Sequence, residues 1–228
     1  MSTHKRQRNQ VNETQKANRV TLEAQTPRQK EYLQALREHD QVFAIGPAGT
    51  GKTYLPTVLA TKMYLMGTIR KIIIARPAVA ACGEDLGFLP GDLNKKLAPW
   101  ALPVTEIIQD IVGRDQMDQM IKSGDLEIAA FAYLRGRTLS NAFIILDEAQ
   151  NTTKEQMELF LTRTGQGSRL VICGDLKQSD LRGASGLECC VNLIERYKIP
   201  AAVVKFTTAD IVRSDICKQW AEAFDRGA

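Results

Sequence analysis

Histidine, aromatic side chains and long apolar runs are all scarce in this chain of 228 residues, and each scarcity excludes a class of protein. Only His4 and His39 are present, so neither histidine-dependent catalysis nor a His-rich metal centre is expected. Aromatic residues make up 6% of the chain, too few for a broad base-stacking platform. No apolar stretch approaches the roughly 18 residues that a membrane-spanning helix requires. The five cysteines (Cys82, Cys173, Cys189, Cys190, Cys217) form no C-x-x-C pair, and their odd number argues against a disulfide framework or a zinc site. They read as small hydrophobes in a reducing cytosol. The N-terminus, from Met1 to Arg8, has no apolar core of a secretory signal, and a cytoplasmic location with no membrane partner is expected.

What is present is the composition of a soluble globular protein, 44% apolar and 25% charged, at a length suited to one α/β domain with extensions. The net charge of +4 is concentrated at the start, where Lys5, Arg6, Arg8, Lys16 and Arg19 face only Glu13; the rest of the chain is balanced. Residues 1–25 are therefore expected to form a basic, disordered arm, with one domain over 26–228. The arm is either simply solvated or a contact for nucleic-acid phosphates.

The most specific local feature is Gly46-Pro47-Ala48-Gly49-Thr50-Gly51-Lys52-Thr53, which fits G-x-x-x-x-G-K-[ST]. An apolar run (Val42 to Ile45) precedes it and a helical pattern follows. The glycines allow backbone N–H groups to converge on a phosphate at a helix N-terminus. Lys52 supplies charge to the β- and γ-phosphates, and the Thr53 hydroxyl suits Mg²⁺. Binding of a nucleoside triphosphate is the direct expectation.

Apolar runs alternate with helical periodicity along the remainder. Strands are expected near 41–45, 71–76, 126–131, 142–147, 169–173 and 201–206. Helices are expected from Thr26-Pro27 to about Glu38, from the phosphate loop to about Met66, and near 93–112, 115–122, 153–163, 183–196 and 213–226. This alternation predicts an α/β fold with a mostly parallel sheet sandwiched by helices.

Phe143-Ile144-Ile145-Leu146 ends in Asp147-Glu148, two carboxylates whose burial calls for a cation. Mg²⁺ on the triphosphate would supply it, held by Asp147 opposite Thr53. Glu148 is then placed to polarise an attacking water, which favours hydrolysis over storage of the nucleotide. A third apolar strand ends in Gly174-Asp175-Leu176-Lys177-Gln178, where Gln178 either senses the γ-phosphate or belongs to an ordinary turn.

With these residues assembled, the chain resembles the PhoH family of P-loop ATPases. The matching stretches include Thr26-Pro27-Arg28-Gln29, the phosphate loop and Arg76-Pro77-Ala78-Val79. Gly87-Phe88-Leu89-Pro90-Gly91-Asp92, Arg135-Gly136-Arg137-Thr138-Leu139 and Asp147-Glu148-Ala149-Gln150 continue the match, which ends at Asp210-Ile211-Val212-Arg213. The resemblance implies a single RecA-like unit related to superfamily-one helicase motors. It also implies that Gln29 reads the adenine, that Gln178 couples the γ-phosphate to motion, and that Arg76 faces nucleic acid. Lys95, Lys96, Arg135 and Arg137 lie near loops that could add to such a surface. Family members that carry an RNA-cleaving domain or an RNA-binding extension have more chain than is present here, so autonomous nuclease activity is not expected.

Phosphoryl transfer needs further positive charge opposite the γ-phosphate. With no second motor domain, an arginine is expected from another subunit or from elsewhere in this one. Arg213 is the first choice and Arg182 the second; either could instead form a surface ion pair. A finger given in trans implies a homo-oligomer, most plausibly a hexameric ring. The leading functional expectation is Mg²⁺-dependent ATP hydrolysis coupled to translocation, unwinding or remodelling of RNA or single-stranded DNA. The alternative is an ATP-controlled assembly switch acting on protein partners, and a small-molecule kinase ranks third.

Overall fold

The computed structural model describes residues 21–77, 93–130, 134, 136–181 and 183–227. The basic arm up to residue 20, the Gly-Phe-Leu-Pro-Gly-Asp stretch, Arg135 and Arg182 lie outside the described residues, as do the side chains of Lys95 and Lys96.

Helix α1 (Pro27–Glu38) starts where Thr26 and Pro27 predict. The Thr26 side chain accepts from the Gln29 N–H at 3.1 Å, and Pro27 fills a first-turn position that has no N–H to lose. The chain then alternates: β1 (Gln41–Ile45), α2 (Tyr54–Leu65), β2 (Lys71–Arg76), α3 (Leu93–Val112), α4 (Arg114–Ser123), β3 (Leu126–Ala130) and β4 (Ala142–Leu146). It continues with α5 (Lys154–Leu161), β5 (Arg169–Gly174), α6 (Gly186–Tyr197), β6 (Ala202–Lys205) and α7 (Asp215–Gly227). Short 3-10 turns follow β4, β5 and β6. Helix α5 carries a reciprocal cap, in which Thr153 and Gln156 each satisfy the other's backbone N–H.

The six strands form one sheet in the order β3-β2-β4-β5-β1-β6, and every pairing is parallel. This is the α/β, RecA-like arrangement expected, with one strand (β5) inserted between β1, which leads into the phosphate loop, and β4, which leads into Asp147. Buried on both faces, the strands carry unbroken apolar runs: Ile72, Ile73 and Ile74, and all of Ala142–Leu146, are excluded from solvent. Alternate residues feed two cores. Val42, Ala44, Ile72, Ile74, Phe143 and Ile145 pack with Tyr32, Leu36, Leu55 and Ile108 on one face. Phe43, Ile73, Ile144, Leu146 and Ile172 pack with Met157, Phe160 and Leu187 on the other.

Two boundaries differ from the sequence expectation in ways that matter for the site. Strand β4 stops at Leu146, although the Asp147 N–H still bonds the Ala75 carbonyl at 2.9 Å. The last helix starts at Asp215, not near 213, and just before it the Val212 N–H donates to the Gly49 carbonyl at 2.8 Å. Arg213 is therefore held on a loop that returns across the phosphate loop.

Candidate active site

Parallel strands place their carboxyl ends on one edge of the sheet, and there β1, β4 and β5 release the three loops that carry the candidate residues. A cleft of about 330 Å³ opens among them. Its floor is the loop Ala48–Thr53, its walls are Asp147, Glu148, Asp175 and Gln178, and Arg76 and Arg213 line it as well. Pro103 and Ile107 of α3 add an apolar side.

The loop's shape follows from its glycines. Gly46 has φ +144°, and a Cβ there would stand 2.5 Å from the Phe206 carbonyl oxygen, so the segment just after β6 passes too close for any side chain. The Gly46 N–H bonds the Gly174 carbonyl at 3.0 Å, which pins the loop to β5. Pro47 turns its carbonyl inward, where it accepts from Thr50 Oγ1 at 3.0 Å and from Lys52 Nζ at 2.6 Å. Thr50 is fully buried. Burial lowers the Lys52 pKa, opposed by nearby acidic groups that include Asp175, Asp147 and Glu148.

The loop is also braced from below. Gln29 of α1 is 4% exposed, and its Nε2 donates to the Thr50 carbonyl at 3.0 Å while its Oε1 accepts from the Gln25 N–H at 2.8 Å. The amide expected at the adenine is thus engaged with the loop backbone. Tyr32, one turn on, donates its hydroxyl to the Lys52 carbonyl at 2.8 Å, and the Cys173 thiol reaches the same oxygen at 3.1 Å. Burial raises the Tyr32 pKa and pushes the Cys173 thiol up to about 12, so both remain neutral donors.

The opposite wall carries the carboxylates. Thr53 Oγ1 donates to Asp147 Oδ1 at 2.8 Å, which joins the two expected Mg²⁺ ligands across the sheet. Burial raises the Asp147 pKa, opposed by the Thr53 hydrogen bond. A hydroxyl beside a buried carboxylate is a hard oxygen pair that fits Mg²⁺ carried on a triphosphate, which keeps few protein ligands. Among the described residues no three His, Cys, Asp or Glu side chains converge on a metal site of their own.

Glu148 adopts a left-handed backbone (φ +55°, ψ +38°) that a non-glycine residue seldom takes. One of its carboxylate oxygens faces Arg76 Nη2 at 3.3 Å and the other accepts from Gln150 Nε2 at 2.6 Å. Gln178 sits on the 3-10 turn after β5 and lines the cleft. Arg213 packs on the phosphate loop of its own chain, where a Cβ on Gly49 would lie 2.8 Å from its Nε. Arg213, expected as a finger from another subunit or from elsewhere in this one, thus lines the cleft of its own chain.

The basic residues expected at a nucleic-acid surface divide. Arg76 stands at the mouth of the cleft, whereas Arg137 pairs with Glu127, which also pairs with Lys71. Hydrogen bonding to Arg137 lowers the Glu127 carboxyl to about 2, and the three side chains form an ion cluster on the outer strands.

A family model described as PhoH-like protein matches residues 21–225. The chain belongs to the PhoH-like family. A PhoH-like protein of Bacillus subtilis is 44% identical over 215 residues, which cover 93% of this chain and 67% of that protein. A PhoH-like protein of Synechocystis is 42% identical, covering 90% of this chain and 62% of its own length. Protein PhoH of Escherichia coli K12 is 40% identical, covering 88% and 57% respectively. This PhoH-like chain thus spans between 57% and 67% of the length of these relatives. Among solved structures, a Pif1 helicase from Candida albicans is similar over 80% of this chain and 39% of its own, with 17% identity and a TM-score of 0.37.

Three site residues of this PhoH-like protein carried no chemical signal in the sequence. Tyr32 recurs with Leu33 and Leu36 at helical spacing and so reads as one more apolar position on α1, and Cys173 reads as a small core residue. Gln150 stood inside the Asp-Glu-Ala-Gln stretch with no role attached.

Proposed function

We propose that this PhoH-like protein is a Mg²⁺-dependent ATPase whose hydrolysis is coupled to RNA or single-stranded DNA. The observation that carries the proposal is the convergence of Lys52, the Thr53–Asp147 pair, Glu148 and Arg213 on one cleft. The backbone N–H groups of Gly49–Lys52 hold the β-phosphate at the N-terminus of α2, and Lys52 bridges to the γ-phosphate. Thr53 and Asp147 would hold Mg²⁺, which when bound would offset phosphate charge and make the γ-phosphorus more electrophilic.

Glu148 accepts a hydrogen bond, then a proton, from a water aligned with the γ-phosphorus. The water oxygen bonds phosphorus as the bond to the β–γ bridging oxygen breaks, and ADP and inorganic phosphate leave. Arg213 supplies the extra charge from within the chain. With Arg213 in cis, the site needs no neighbouring subunit, and we take the single chain over 26–228 as the catalytic unit. A hexameric ring, expected only on the ground of a finger in trans, is not part of this proposal. Gln178 is placed to report loss of the γ-phosphate to the turn it sits on. A reducing cytoplasm is proposed from the free thiols at Cys173, Cys189, Cys190 and Cys217. Among the described residues no helix is long and apolar enough to cross a membrane.

Coupling to nucleic acid rests on Arg76, which pairs with Glu148 at the edge of the cleft and is one-third exposed. A polyanion that engages Arg76 would alter the setting of the proton acceptor directly. The test is phosphate release with and without poly-U and oligo-dT. The proposal expects a severalfold rise with at least one polymer. No response to either, together with nucleotide-dependent self-association, would favour the assembly switch.

A further inference from the structure

Two loops of the cleft meet at Gln150. The residue is 1% exposed, and its side-chain amide is used at both ends. Its Nε2 donates to Glu148 Oε2 at 2.6 Å, and its Oε1 accepts from the Asp175 N–H at 3.0 Å. Its Nε2 is also 3.5 Å from the Gln178 carbonyl, and its own carbonyl accepts from Ser179 Oγ at 3.2 Å. Next along the chain, Asn151 and Asp180 exchange two hydrogen bonds, at 3.1 and 2.9 Å. Gly174 keeps the space open, because a Cβ there would lie 2.9 Å from Gln150 Oε1.

These contacts rank the two holds on Glu148. The Arg76 pair is longer and partly exposed, and pairs of that kind contribute little. The Gln150 contact is the shorter of the two and comes from a side chain only 1% exposed, so it fixes the carboxylate more firmly. Glu148 also keeps a left-handed backbone, which persists only where the surroundings over-determine it.

We propose that Gln150 is a positioning residue that sets the Glu148 carboxylate for hydrolysis and ties it to the turn bearing Gln178. The proposal rests on Glu148 being the proton acceptor of an ATPase. It requires a donor at the Glu148 end of the side chain and an acceptor at the Asp175 end, and at neutral pH the glutamine amide offers both at this reach. Glutamate at position 150 would keep the acceptor for Asp175 but oppose one carboxylate with another. Acid would then restore the donor, because two carboxyl groups in contact share a proton readily.

The test compares wild type, Gln150→Glu, Gln150→Met and Glu148→Gln in ATP turnover between pH 5 and 8, with N-methylanthraniloyl-ATP binding measured alongside. Gln150→Glu is expected to bind the analogue as wild type does and to lose about 100-fold in kcat at pH 7.5. Its kcat relative to wild type should recover as the pH falls. Gln150→Met should show a comparable loss with no acid recovery. Wild-type kcat in Gln150→Glu at pH 7.5 would overturn the proposal. So would a parallel loss of analogue binding in both Gln150 variants, which marks a merely structural residue. If wild type itself turns over no ATP and matches Glu148→Gln, the ATPase reading fails first and takes this proposal with it.

Discussion

Arg213 lies over Gly49 of its own chain, with the neighbouring Val212 N–H bonded to the Gly49 carbonyl at 2.8 Å. Under the proposed ATPase reading, Arg213 supplies from its own chain the charge that phosphoryl transfer needs opposite the γ-phosphate. Arg213→Ala is expected to lower kcat by about 100- to 1,000-fold while leaving nucleotide affinity nearly unchanged. A mixture of Arg213→Ala and Glu148→Gln chains should stay inactive, since each complete site needs both residues in one chain. Activity regained on mixing would return the arginine to a neighbouring subunit.

Gln29 is expected to act on the phosphate loop and not on the base. Gln29→Ala removes a buried hydrogen bond to the Thr50 carbonyl, a loss of about 1–2 kcal/mol, or roughly 5- to 30-fold in affinity. Competition binding should show the same factor for ATP and GTP. A loss confined to ATP would assign Gln29 to adenine.

Asp147 predicts a pH-dependent trade between stability and metal binding. Burial raises its folded-state pKa, so the folded chain binds that proton more tightly than the unfolded chain does. The stability contribution of this group therefore falls as pH rises from about 4 through the raised value. Asp147→Asn should melt at a higher temperature than wild type at pH 7 without nucleotide, and that advantage should vanish below about pH 4. Addition of Mg²⁺ and ATP should raise the melting temperature of wild type and leave the variant nearly unmoved. A wild-type-sized rise in the variant would exclude Asp147 as a metal ligand.

Gly46→Ala tests the contact between the phosphate loop and the segment after β6. Its Cβ would meet the Phe206 carbonyl at 2.5 Å from a backbone with φ +144°. A destabilisation of about 2–4 kcal/mol is expected in denaturant unfolding. A change below about 0.5 kcal/mol would show that this segment does not hold its place.

The sheet was legible because parallel strands covered on both faces read as apolar runs, as at Ile72–Ala75 and Phe143–Leu146. The phosphate loop and the Asp147-Glu148 pair were legible because their chemistry demands fixed residue types in a fixed order. Strand order was not, since nothing in spacing states that β5 separates β1 from β4. Contacts across the fold were also hidden. Tyr32 meets Lys52 only because α1 packs beneath the loop, and Gln150 meets Asp175 only because β4 and β5 are neighbours. The reach of Arg213 depends on the Phe206 N–H bonding the Ile45 carbonyl, which brings the following loop back across β1. The last helix was expected to begin near Arg213, while in the fold it begins at Asp215 and the neighbouring Val212 N–H serves Gly49.

The central claim is that this cleft hydrolyses ATP with Glu148 as proton acceptor. Steady-state phosphate release at saturating Mg²⁺ and ATP, measured for wild type and Glu148→Gln with analogue binding on both, tests it most directly. The account predicts equal binding and release at least about 100-fold slower in the variant. Equal release rates, or none from wild type, would contradict it.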